Sequence, residues 1–365
     1  MIISPVHFPS YRFWPRRKRG DTFFGQGLYF ERASWAIAYG IMGIAKKRGK
    51  SKARVWFPDY FCKEPLEILS NFPIEVEHYS IGKNFEPDWE ALEQMCAQRG
   101  SPDAMVVVHY FGFSNNSKTA QKFCERHSTE LIEDCAHVME AYDTVGSSGT
   151  FAVFSPWKFF PIPFLGFLRA GENFRALVRS FSPRRDTFFG MRWVIKREMQ
   201  RALSTLGVNW YARTISRSLC PSSSPKEELD MRASYHAISL RLFSEYCKQT
   251  DYIRQRRVEN YESLIKFFRK TYPTMLLFDS LPDGAVPYMF PCVARDSAAK
   301  LVGKLMQRGI PATQWPELPA DVAQNTKQFP WAHFYAKHLI LLPIHHNVSP
   351  RQIEYMQTQI KALVR

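Results

Sequence analysis

No apolar run in this chain approaches the ~20 residues that a membrane-spanning helix needs. The greasiest stretch, FFPIPFLGFL at 159–168, is short and carries two prolines. The opening residues, MIISPVHFPSYRFWPRRKRG, hold no continuous apolar segment, so no signal peptide is expected. Seven cysteines (62, 96, 124, 135, 220, 247 and 292) are scattered, odd in number and free of any C-x-x-C pair. They suggest neither a disulfide framework nor a zinc site. The expectation is a cytoplasmic protein that holds no metal. Internal repeats and low-complexity tracts are absent.

Acidic residues are in short supply: 34 Asp and Glu against 49 Lys and Arg leave a net charge of +15. The excess gathers in RRKRG at 16–20 and KKRGKSKAR at 46–54. Such clusters form either a solvated basic face or a surface for a polyanion: a nucleotide diphosphate, an acidic membrane face or nucleic acid. Zinc-finger spacing, RNP-type aromatic motifs and a basic zipper are all missing, so nucleic acid is set aside. Contact between the basic N-terminus and a membrane has no further support.

What is present suits a large core: 365 residues, 45% hydrophobic and 15% aromatic. Apolar strands at 53–61, 74–81, 103–113, 130–137 and 149–158 alternate with helices at 31–49, 88–100 and 116–128. The strands are apolar on both faces, the mark of a mainly parallel sheet covered by helices on both sides. The reading is an α/β protein, with a three-layer α/β/α large domain and a small C-terminal α+β domain. The large domain is assigned to 1–229, with an N-terminal arm and a helical or loop insertion at 172–226. A linking helical region takes 230–274 and the small domain 275–365, its last helix opened by Ser349 and Pro350.

In open sheets of this kind, ligands bind beyond the carboxyl ends of the strands. Phe61, His109, Asp134 and Lys158 all fall at or just after strand ends, which points to one crevice holding Asp134 and Lys158. A partly desolvated lysine can condense with an aldehyde, because only the neutral amine attacks. Pyridoxal phosphate supplies such an aldehyde, and its pyridine nitrogen needs a carboxylate partner to stay protonated. Ser155 and backbone N–H groups at the start of the 31–49 helix could take its phosphate. On spacing alone, a surface pair or a pair of substrate contacts explains the Asp and Lys as well.

Several segments, in order, resemble the DegT/DnrJ/EryC1/StrS family, the sugar-aminotransferase branch of fold-type I pyridoxal-phosphate enzymes. They are ERASWAIAYGI, RVWFPDYFCKEP, VVVHYFGF, LIEDCAH, GTFAVFSPWKFFPIP, QRGIPATQWP and LILLPIHHNVSPRQIEYM. The resemblance implies that Lys158 carries the cofactor as a Schiff base, that Asp134 binds its ring nitrogen and that His137 lies near the ring hydroxyl. It places the phosphate on Ser155 and the backbone of Arg32 and Ala33. It implies transamination in a homodimer, from L-glutamate to a keto group of a nucleotide-linked deoxysugar, in polysaccharide or metabolite biosynthesis. The Arg-rich segment 184–217 is the candidate for a loop shared between subunits, with an ordinary surface helix pair as the alternative.

The chain departs from the family pattern in places. Glu31 and Arg32 replace small residues at the helix start, where Arg32 could supply charge. Cys62 stands where an aromatic ring usually stacks, with Tyr60 or Phe61 as substitutes. FLG at 164–166 replaces two glycines after the lysine. Two alternatives follow: a non-catalytic or regulatory relative, and a pyridoxal-phosphate-dependent sugar dehydratase, a chemistry whose members tend to lack the lysine.

Overall fold

A computed structural model describes residues 1–5, 23–171, 174, 184–186, 190–210, 234–315 and 317–364. The basic cluster at 16–20 and part of the 184–217 segment lie outside them. Seven strands form the main sheet in the order β1-β7-β6-β5-β4-β2-β3. They are β1 (Gly27–Phe30), β2 (Ala53–Pro58), β3 (Ile74–Tyr79), β4 (Ala104–Val108), β5 (Glu130–Cys135), β6 (Phe151–Phe154) and β7 (Gly166–Ala170). β2, β3, β4, β5 and β6 run parallel, while β7 lies antiparallel to both β6 and β1. Every residue of β4 and β6 is buried, as expected of strands covered on both faces.

Two strands end earlier than expected, each at a short 3-10 turn. The strand read at 103–113 ends at Val108, because the chain turns through a short 3-10 segment, Tyr110–Gly112, with Phe111 at φ 59°. The strand read at 149–158 ends at Phe154, and a second 3-10 turn, Pro156–Lys158, carries the lysine. The 159–168 stretch, greasy and proline-bearing, feeds β7, which pairs with β1 from far earlier in the chain.

The first helix, α1 (Ala33–Lys47), packs its Ile37, Ile41 and Ile44 face into the core. Basic Lys46 and Lys47 sit in its last turn, where the helix dipole favours them. No side chain caps its start, so its first amides remain donors toward whatever lies there. The next helices are α2 (Lys63–Leu69), α3 (Trp89–Arg99), capped by Asp88, and α4 (Ser117–Arg126), capped by Asn116. Then come α5 (Gly190–Thr205), α6 (Ala237–Tyr246) and α7 (Thr250–Thr271). Within the linking region assigned to 230–274, α6 and α7 are separated by a 3-10 turn, Cys247–Gln249. α6 leans on the large sheet's side through Phe243, stacked on Phe24 at 5.6 Å and meeting Phe160 at 5.2 Å.

Two further short strands, β8 (Arg184–Asp186) and β9 (Ser234–His236), pair with each other. Beyond α7, β10 (Phe290–Val293) and β11 (Leu339–Leu342) form a small antiparallel sheet. Around it lie α8 (Ala298–Gln307), α9 (Ala320–Gln324), α10 (Pro330–His338) and α11 (Pro350–Leu363). α11 opens with a capping box between Ser349 and Gln352 and with proline in its first turn. The extreme N-terminus joins this part of the molecule: Ile3 donates to Gly309, and Gln352 donates to Ile2. Thr313 and Leu341 exchange two backbone hydrogen bonds, of 3.0 and 2.8 Å, which brings residues 313–315 against β11. Among the described residues, no helix is long and apolar enough to cross a membrane.

Candidate functional site

β5 delivers two adjacent carboxylates to opposite environments, because successive side chains of a strand point to opposite faces. Glu133, fully buried, accepts hydrogen bonds from His109, Ser117 and the backbone N–H groups of Gly146, Ser148 and Gly149. Burial alone would raise its pKa. The His109 partner and the amides outweigh that and hold it below the usual carboxylate range. His109 Nδ1 accepts from the Asn115 N–H at 3.0 Å, so the proton of its neutral ring sits on Nε2 and is donated to Glu133. His109 therefore supports Glu133 and does not line the crevice expected for it. The carboxyl end of a strand fixes depth, not face.

Asp134 lines a cavity with Lys158, His137, Ser155, Arg32 and Ala33, so the six residues that the resemblance assigns to the cofactor lie in one wall. Phe61, Cys62, Glu64, Trp157, Phe164, Tyr288, Thr313, Gln314 and Trp315 complete most of its wall. Asp134 accepts one hydrogen bond, from the Ala136 N–H at 2.8 Å. Burial raises its pKa, and the positive charge of Lys158 partly opposes the rise. Lys158 stands on the 3-10 turn after β6, with Nζ 5.5 Å from the centre of the Tyr288 ring.

His137 lies between aromatic neighbours, its ring 4.6 Å from Tyr288 and 5.9 Å from Phe111, both stacked. The Phe111 N–H donates to its Nδ1 at 3.2 Å. Burial, then the nearby Lys158 charge, pushes its pKa well below the normal histidine value. His137 is thus a neutral ring whose proton is on Nε2, a donor rather than a cation.

α1 begins at the cavity with Arg32, Ala33 and Ser34 in its wall. Gly166 holds that start in place. A Cβ there would fall 2.4 Å from the Arg32 carbonyl carbon and 2.5 Å from the Ala33 nitrogen. One of the residues in FLG thus provides a close backbone approach, despite the departure from two glycines. Arg32 does not offer a free charge: its guanidinium pairs with Glu64 and lies 4.3 Å from the centre of the Phe164 ring.

The expected stacking substitutes separate. Phe61 lines the cavity, whereas Tyr60 is buried behind it and stacked on Trp315 at 4.7 Å. Sequence reasoning missed Tyr288 and Trp315 as wall residues. Trp315 lies within QRGIPATQWP, so the family resemblance held a signal for it; Tyr288 had none.

The basic cluster at 46–54 lies away from this cavity. α1 rises about 1.5 Å per residue, so Lys47 ends about 15 Å beyond Ile37, its last residue in the cavity wall. Arg48 and Lys50 pair with Asp103, Lys52 pairs with Glu75, and Arg54 donates to carbonyls of Arg99, Gly100 and Ser101 at the end of α3. The cluster closes the amino-terminal ends of β2, β4 and β5. Among the described residues, no group of three or more metal-binding side chains is present.

These residues fit pyridoxal phosphate. An amine and a carboxylate share one cavity, a neutral histidine donor lies beside them, and an uncapped helix start meets the same space. Residues 77–167 match the model of the DegT/DnrJ/EryC1/StrS aminotransferase family. Among solved structures, a DegT DnrJ EryC1 StrS aminotransferase from Brucella abortus superposes with a TM-score of 0.65 at 14% identity, over 93% of this chain and 86% of that one. DesV from S. venezuelae, in complex with a ketimine intermediate, gives 0.65 at 16% identity over 92% and 84%. A mutant of ColD, a GDP-4-keto-6-deoxymannose-3-dehydratase, with bound GDP-perosamine, gives 0.61 at 16% over 92% and 88%. No curated protein matches. The segment that bears both Asp134 and Lys158 thus carries the sequence pattern of the DegT/DnrJ/EryC1/StrS aminotransferases, pyridoxal-phosphate-dependent enzymes, on a chain with the fold of their solved structures.

Proposed function

We propose that the protein transfers an amino group from L-glutamate to a keto group of a deoxysugar, nucleotide-linked, using pyridoxal phosphate held on Lys158. One observation carries the reading: Lys158 and Asp134 come from different strand ends and line one cavity at the start of α1. When bound, the cofactor supplies an electrophilic carbon and an electron-accepting ring.

The chain's own groups do the rest. Asp134 would accept a hydrogen bond from the protonated ring nitrogen; that positive partner would favour the ionised carboxylate that burial disfavours. His137 would donate its Nε2–H to the ring oxygen while adding no charge. Ser155 and the amides of Ala33 and Ser34 would hold the phosphate, where a helix start favours an anion. Lys158 Nζ, released from the cofactor once the donor amine takes its place, would move a proton between the donor's α-carbon and the cofactor carbon, acting as general acid and base. Thr313, Gln314 and Trp315 place polar and aromatic contacts within reach of an acceptor.

The net charge of the cavity wall does not favour a diphosphate: Arg32 is matched by Glu64, and Lys158 faces Asp134. The nucleotide part of the acceptor thus rests on the family resemblance alone. A homodimer is supported by α5 and the turn after it, where Ile195, Met199 and Leu206 are 56%, 62% and 77% exposed. The expected compartment remains the cytoplasm.

The test is spectroscopic. Protein mixed with pyridoxal phosphate should show a visible band that disappears in Lys158→Ala, and L-glutamate alone should bleach it. A band that persists in Lys158→Ala removes the site assignment. A band indifferent to glutamate removes the donor assignment and favours the dehydratase or non-catalytic alternative.

A further inference from the structure

Among the described residues, Arg257 is the largest charged side chain that is buried, fully enclosed although it carries a guanidinium. It projects from α7 and, among the described residues, donates to three backbone carbonyls. These belong to Pro287 at 3.1 Å, Tyr288 at 2.9 Å and Lys158 itself at 3.2 Å. Its guanidinium also lies 4.7 Å from the centre of the ring of Phe159, the residue after the lysine. Burial lowers its pKa to about 9, which leaves it a cation at neutral pH.

The three acceptors belong to two segments far apart in sequence. One is the turn that presents Lys158. The other, at 287–288, leads into β10 and carries the Tyr288 ring, which stacks on His137 and faces the lysine amine. A planar fork with five donors can bind carbonyls from both segments at once; an ammonium is a single point. Enclosing a cation costs free energy unless its donors are filled, so its place at this junction sets a geometry that a neutral packing residue could not.

We propose that Arg257 is a positioning residue for Lys158. It ties the backbone of the lysine turn to the Tyr288 segment, which fixes the amine against His137 and the cavity wall. This rests on the assignment of Lys158 as the cofactor lysine and adds to it a residue outside the cavity wall.

The test compares the unsubstituted protein, Arg257→Gln and Arg257→Lys. The readouts are pyridoxal phosphate affinity from the visible band and the visible circular dichroism of that band, which reports how rigidly the bound chromophore is held. Far-ultraviolet dichroism and Tm are recorded beside them. Losing hydrogen bonds from a charged group, Arg257→Gln should bind the cofactor about ten- to hundredfold more weakly, with reduced visible dichroism at a temperature well below its Tm. Arg257→Lys, which keeps the charge and fewer donors, should fall between. A lowered Tm with affinity and visible dichroism unchanged overturns the proposal and leaves Arg257 a structural cation. If Arg257→Gln does not fold, Arg257→Lys decides: values equal to the unsubstituted protein overturn it. If the unsubstituted protein shows no band, the lysine assignment fails and this proposal fails with it. A band present in all three proteins with equal properties defeats the Arg257 proposal alone.

Discussion

Glu133 and Asp134 are neighbours in sequence and opposites in circumstance. The first has five hydrogen-bond donors around it and a lowered pKa; the second accepts one amide and has a raised pKa. Glu133 fastens the 146–149 turn and the start of α4 to the sheet. Asp134 is left with capacity for a partner. A buried carboxylate whose lone pairs are filled belongs to the scaffold, while one held at a single atom is available for a ligand.

The sharpest way to break that contrast lies across the cavity. Lys158→Ala should abolish the visible cofactor band and transamination entirely, while its Tm stays within a few degrees, as measured by absorbance, assay and calorimetry. Asp134→Asn comes next. It should cut the glutamate half-reaction by about 10²–10³-fold through the lost charge at the ring, with folding stability changed by less than about 1 kcal/mol. Glu133→Gln should do the reverse. Losing hydrogen bonds that end on a buried carboxylate should lower stability by about 2–3 kcal/mol, read by denaturant unfolding, with weaker direct effect on the half-reaction in protein that remains folded.

The two carboxylates respond to acid in opposite directions. The folded pKa of Glu133 is depressed, so its stabilisation is present above its unfolded value of about 4.3 and is lost as pH falls through the folded value. The gap between wild type and Glu133→Gln should therefore close below about pH 4. Asp134 has a raised folded pKa, so its ionised form burdens the fold at neutral pH and is relieved as pH falls. Any advantage of Asp134→Asn should fade in acid, opposite in sign. Paired unfolding curves at neutral and acid pH check both.

Two smaller effects test the surroundings. Gly166→Ala should cost about 1–3 kcal/mol from overpacking against the Arg32–Ala33 peptide and weaken cofactor binding, since it displaces the start of α1. Arg54→Ala should cost about 1 kcal/mol through the carbonyls it serves and leave the KM for acceptor unchanged. A raised KM would return the 46–54 cluster to the substrate site.

Much of this architecture was legible because its signals are local. Strands apolar on both faces, such as AMVVV and FAVF, announce a covered parallel sheet, and LIEDCAH and SPWK place a carboxylate and an amine at strand ends. What escaped is non-local. The reversed direction of β7 and its pairing with β1 depend on a partner far away in sequence, and an apolar strand looks alike in either direction. The face taken by His109 depends on the register that sets Val108 beside Asp134, which turns the next residue toward Glu133. Tyr288 reaches the cavity only because α7 and the small sheet bring it there, and no periodicity encodes that arrival.

Trp315 belongs to two structures at once. Two hydrogen bonds between Thr313 and Leu341 graft its segment onto the small sheet, and its ring leans on Tyr60 behind the cavity. Damage to that sheet's interior, for instance a smaller residue at Phe290, would consequently surface as poor ligand retention at a wall the altered residue never touches.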